Sequence, residues 1–216
     1  MAGHNRRDAG QAFPIYIVMV AGLLFLAFAF FAVGQASATR NGAQGAADAA
    51  ALAAAQDARK DLGVPFLAAL REPNGLNEFL SGHQYFGAGQ SEAIQLASAN
   101  DSDVTDFYWR LGYWQDKVTA KVRTRYTVGS SVIPSTKTTH ATATATAVIK
   151  FRCSPKPTPE APDPGQDDGK GKDDSKDTPK RVDLSCAGRN VTIDLSDSDP
   201  LAGLMKLIFA VNLIDD

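Results

Sequence analysis

Cysteine is almost missing from this chain: two residues, Cys153 and Cys186, among 216. They form no CxxC and belong to no Cys/His group at metal-ligand spacing, which excludes a zinc site. No cofactor or metal is expected. Histidine is nearly as scarce, with His4, His83 and His140, and none has a nucleophile motif beside it. An envelope hydrolase is left without machinery, and the chain reads as a non-enzyme. An excess of positive charge is lacking too: 22 basic against 24 acidic side chains give a formal net charge of -2. With no basic stripe, nothing draws the chain toward nucleic acid.

The most informative shortage is local. From Ala9 to Thr39 there is no charged side chain, and Ile15 to Val33 is apolar almost throughout. Crossing a ~30 Å hydrocarbon core takes about 20 helical residues, and this run supplies them. Residues 13–35 are therefore expected to form a transmembrane helix in contact with membrane lipid. Pro14 falls where a helix tolerates a missing N–H. Arg6 and Arg7 precede the run and only Arg40 follows closely, so residues 1–12 are expected in the cytoplasm and the bulk outside. Ala36-Ser37-Ala38 also fits a signal-peptidase pattern, but a signal's apolar region spans about 7–15 residues and this one is longer. A twin-arginine export signal at Arg6-Arg7 lacks the short apolar stretch it needs.

Beyond the apolar run, Asn41 to Lys60 is rich in alanine, the best helix former. A stalk helix over residues 36–61 is expected to continue the membrane helix, with Gly42 and Gly45 as its weak points. Few large side chains let another backbone approach closely. The candidate packing surface is Ala46, Ala47, Ala50, Leu52, Ala53 and Ala54. Polar residues at 41, 44, 48, 56 and 59 share a face that Leu52 interrupts. Two uses of the alanines stay open at this point: packing on the chain's own domain, or on partners.

These residues carry a family resemblance. The short basic tail, Gly10-Gln11, one apolar helix and then Gln44-Gly-Ala-Ala-Asp-Ala-Ala-Ala-Leu-Ala-Ala-Ala55 resemble the N-terminal module of TadE/TadG-like Flp pilus-assembly proteins. Ala46 to Ala53 is the specific part, and the resemblance covers about the first quarter of the chain. It implies a membrane-tethered component of a pilus or secretion apparatus, with pilus-assembly or pilin-like partners bound through the N-terminal helix, and no enzyme activity. In prepilin-like members, processing follows a glycine and needs a glutamate five residues on. After Gly10 that position is Ile15, so cleavage there is not expected.

Residues 62–153 read as an α+β extracytoplasmic domain with a small antiparallel sheet. Pro65 to Leu70 and Glu92 to Ala97 suggest short helices, the second capped by Ser91, with Pro73-Asn-Gly75 as punctuation. Lys117 to Val128 alternates with period two, placing Val118, Ala120, Val122, Tyr126 and Val128 opposite Lys117, Lys121, Arg123 and Arg125. His140 to Phe151 alternates again, so the two runs are natural antiparallel neighbours. Asp106 to Trp114 supplies a third strand with aromatic bulk, and a sheet of three or more strands is covered by helices. Asp101 to Asp106 lacks the glycine and distal glutamate of a calcium loop and reads as a solvated turn.

From Ser154 to Arg181 the chain is Pro, Asp, Gly and Lys with almost nothing apolar, the composition of a disordered loop. In an oxidising compartment a Cys153–Cys186 disulfide would staple its base; two separate thiols are the alternative. Asp194-Leu-Ser196-Asp-Ser198 matches the D-x-S-x-S cation motif of von Willebrand A-type domains. Too little chain follows to build that domain, so the match reads as chance. Residues 182–216 are expected to form a strand and an amphipathic helix, with Leu201, Leu204, Met205 and Ile208 at helical spacing. Two functions remain: a structural or assembly component of a Tad-type machine, or a membrane-tethered binding module for cell-wall polymer or a partner protein, working through Phe107, Tyr108, Trp109, Tyr113 and Trp114.

Overall fold

The computed structural model describes residues 12–82, 88–131, 133–155 and 181–214. Its first element is a single helix, α1, Ala12–Asp61. Gly42 and Gly45 leave it unbroken, since alanines on both sides carry the helix through. Three short helices follow, α2 (Gly63–Ala69), α3 (Gly75–Gly82) and α4 (Gln90–Ala99). Ser91 does not cap α4. The cap is Gly89 in the left-handed region (φ 71°), and the Ser91 hydroxyl donates to Glu92 instead.

The mixed α+β class holds. Four antiparallel strands form the main sheet: β1 (Ser102–Arg110), β2 (Gln115–Thr127), β3 (His140–Phe151) and β7 (Phe209–Ile214), in the order β1-β2-β3-β7. Rows of paired residues run across it, such as Trp109, Val118, Ala147 and Leu213, or Phe107, Ala120 and Ala145. These rows are the apolar inner face. The C-terminal half of α1 packs on β2, β3 and β7, while α4 lies beside it over β1. Phe66, Phe79, Phe151 and Phe209 close one end of the core, with ring centroids 5.4–6.2 Å apart.

Several expectations need correction. The Asp101–Asp106 stretch is no solvated turn, because β1 begins at Ser102, whose side chain is buried, and Asp103 is paired with Arg125. A bulge between Val104 and Asp106 lets the Thr105 hydroxyl donate to the Lys121 carbonyl, and it hides the alternation that marks a strand. The third strand accordingly stops at Arg110, short of Trp114. Among the described residues of the C-terminal end only α5, Met205–Ile208, is helical. Phe209–Ile214 is a strand because the open edge of β3 offers it a ladder, with Phe209, Val211 and Leu213 facing inward.

A second, three-stranded sheet contains β4 (Cys153–Pro155), β5 (Arg181–Cys186) and β6 (Arg189–Asp194). Cys153 and Cys186 stand opposite each other in it and are disulfide-bonded. The ends of the expected disordered loop, Ser154, Pro155 and Arg181, thus belong to strands, and 156–180 lie outside the described residues. Residues 1–11 of the expected cytoplasmic tail lie outside them too, and Ala12 opens α1.

Candidate assembly site on the long helix

α1 changes character along its length. From Phe13 to Phe28 every residue is exposed, including Phe13, Ile15, Val18, Leu23 and Phe25. Among the described residues it is the one helix long and apolar enough to cross a membrane. Burial then starts gradually, with Ala29 half-buried and Ala32 3% exposed. Thr39, Ala43, Ala46, Ala47, Ala50, Ala54 and Ala58 continue one face at helical spacing, all buried.

That face is the one turned to the chain's own domain. Two close approaches show why its residues are small. A side-chain carbon added to Gly42 would lie 2.1 Å from the Tyr126 hydroxyl. One added to Gly89 would lie 2.4 Å from the carbonyl oxygen of Ala54. A larger residue at position 89 would push α4 off the helix, and one at position 42 would displace the Tyr126 side chain. One and two turns beyond Gly89, Ala93 and Ala97 are fully buried as well.

Of the six candidate packing residues, Ala46, Ala47, Ala50 and Ala54 are therefore in the core of this chain. Leu52 and Ala53 are half-buried. The opposite stripe is polar and exposed at Asn41, Gln44, Gly45 and Gln56. Gln44 donates to Asp48 at 2.8 Å, and Lys60 reaches Asp57 at 3.4 Å. Alternation alone could not separate the two sides, since alanine is compatible with either.

The aromatic residues fall into two groups. Phe107 and Trp109 face inward, and the Trp109 indole donates to the Ala88 carbonyl. Tyr108, Tyr113 and Trp114 are exposed. Tyr113 meets Trp114 edge-on at 5.1 Å, Trp114 stacks on Phe151, and the Tyr113 hydroxyl donates to Asn77.

Among the described residues no group of three or more His, Cys, Asp or Glu could hold a metal. His4 and His83 lie outside them. Asp194, first residue of the cation-like motif, accepts from the Ser196 backbone N–H and hydroxyl and from Arg181, and these contacts hold its carboxyl below the usual carboxylate range. Its oxygens serve a turn and an ion pair, so the motif has a structural account.

The alanine-packed half of α1, running without a break out of a bare apolar half, coincides with a known module. Residues 10–57 match the model of the TadE/G-like Flp pilus-assembly family, Tad. The family module thus ends within α1, and the sheet lies wholly beyond it. This Tad module is what supports a pilus-assembly role. No curated protein and no solved structure matches the chain.

Proposed function

We propose that the chain is a membrane-anchored structural or assembly component of a Tad/Flp-type pilus or a related secretion apparatus. The observation that carries this reading is α1, apolar and uncovered in its first part, alanine-packed in its second, and matched by the Tad family over 10–57. Residues 13–35 cross the membrane once, 1–12 stay in the cytoplasm, and 36–61 rise as the stalk on which the 62–153 domain and the 182–216 segment sit. The disulfide suits an oxidising, extracytoplasmic compartment. The domain occupies Ala46, Ala47, Ala50 and Ala54, so partners approach the less covered side, through Gly45, Ala49 and Ala53, and the bare apolar half. Small residues there admit a close helix neighbour.

A second reading, a membrane-tethered module binding cell-wall polymer or a partner protein, is favoured by the solvent-facing rings of Tyr108, Tyr113 and Trp114. One experiment separates the two. Photo-cross-linkers at Gln44, Ala53 and Gln56 in cells should recover pilin-like or platform proteins. Recovery of cell-wall fragments alone, from linkers beside Tyr113, would replace the assembly role by the binding module.

A further inference from the structure

The domain meets α1 lower than the end of the apolar run. The bare stretch Phe13–Phe28 rises about 24 Å at ~1.5 Å per residue, short of a ~30 Å hydrocarbon core. The missing depth must come from Ala29 to Val33, where the helix already has a neighbour. That neighbour is the tip of the β2–β3 hairpin. Thr124 sits at an irregularity in the β2–β3 ladder, where its hydroxyl donates to the Tyr126 carbonyl and accepts from the Ala141 N–H. The end of β2 is thereby turned onto the helix, Tyr126 against Gly42 and Gly129 beside Gln35.

Two clefts lie between tip and helix. The lower, about 380 Å3, is lined by Phe28, Phe31, Ser130, Ser131 and Lys137. The upper, about 500 Å3, runs from Val33 to Arg40 on the helix and from Val128 to Thr142 on the strands. No carboxylate lines either cleft. Arg40 and Lys137 have no carboxylate partner among the described residues. Ile133, at the tip, is 50% exposed, and Phe28 and Phe31, which line the lower cleft, are 55% and 62% exposed. Between the clefts the Gln35 side-chain oxygen is buried without a hydrogen-bond donor, so the joint has an unmet polar requirement.

From this we infer that the hairpin tip is a second membrane contact: Ile133 enters the interface, while Lys137 at the lower cleft and Arg40 at the upper face the phosphates of acidic phospholipids. The occupant is lipid because the clefts continue the surface of the membrane helix at the depth where headgroups begin. Their charge is of one sign, and it complements the anionic headgroup. The contact fixes the height and rotation of the domain above the bilayer, which a lone helix leaves free. It rests on the anchoring reading, and one preparation tests both.

The full chain is reconstituted in vesicles of phosphatidylcholine, with or without phosphatidylglycerol, carrying a benzophenone photo-cross-linking side chain in place of Ile133. A control carries it in place of Ile94, exposed on α4. Position 133 should capture several times more phospholipid than 94. Phosphatidylglycerol should raise that capture about fivefold for each of the two cations, a gain lost in Arg40→Gln/Lys137→Gln. Alkaline extraction of the same vesicles reports the anchor. Chain retained after alkali, but with equal capture at 133 and 94 or with protein captured instead of lipid, overturns the hairpin contact and leaves the anchor standing. Capture indifferent to phosphatidylglycerol overturns the phosphate site. Release by alkali overturns both readings.

Discussion

At the residue scale, the absence of side chains sets the geometry. Gly89 combines a left-handed backbone (φ 71°) with contact against the Ala54 backbone. Gly45, in the exposed interior of α1, has nothing within 4 Å of an added carbon. The two glycines should respond oppositely to alanine. Gly89→Ala is expected to cost about 2–5 kcal/mol, from the strained φ together with overpacking. Gly45→Ala should add about 0.5–1 kcal/mol of helix stability. Denaturant titration of the detergent-solubilised chain, followed by Trp109 and Trp114 fluorescence, reads both, and equal shifts would refute the close α1–α4 approach.

At the element scale, β7 shows where local pattern yields to a partner. Leu201, Leu204, Met205 and Ile208 do recur at helical spacing, and Leu201 with Met205 packs near Gly63. From Phe209 on, the free edge of β3 supplies hydrogen bonds that helix propensity alone does not outweigh. Phe209, 3% exposed, links that strand to Phe66, Phe79 and Phe151. Phe209→Ala should lower unfolding free energy by about 3–5 kcal/mol. Amide exchange protection over 209–214 should fall with it. Intact protection would mean that β7 is held by its ladder alone.

At the scale of the whole molecule, the chain builds two sheets, and its one disulfide lies within the smaller of them, between β4 and β5. The Cys153–Cys186 bridge closes a loop with a sequence separation of 33, which the chain-entropy estimate values at roughly 3–4 kcal/mol. A free-thiol assay on non-reduced protein should find none. Cys153→Ser/Cys186→Ser should lose stability of that order, and an unchanged denaturation midpoint would show that β4, β5 and β6 persist through their ladder and the packing of Leu184 and Ile193. The bridge pins the end of β5 to the start of β4, two residues after β3 ends. Pro155 and Arg181 accordingly lie on neighbouring strands of one sheet.

How much was legible in the residues follows from the range of the forces involved. The apolar run, the alanine helix, the two alternating strands and the family module are local patterns, each readable within a window of the chain. β3 was bounded correctly because alanine and threonine alternate from Ala141 to Ala147 and Val148, Ile149 and Phe151 carry the run on, although Thr146 is itself buried. β1 was misplaced because a bulge breaks parity at Thr105, and β7 because its six residues gain strand structure only from β3. The sequence by itself determined a long helix, apolar then alanine-rich, followed by a mixed domain. Only the tertiary structure decided which side of that helix the domain takes, since alanine suits a core and a partner equally well and only the packed sheet chooses between them. It also decided how low the domain reaches on the apolar helix, because that depth comes from the hairpin's bend and from no residue alone.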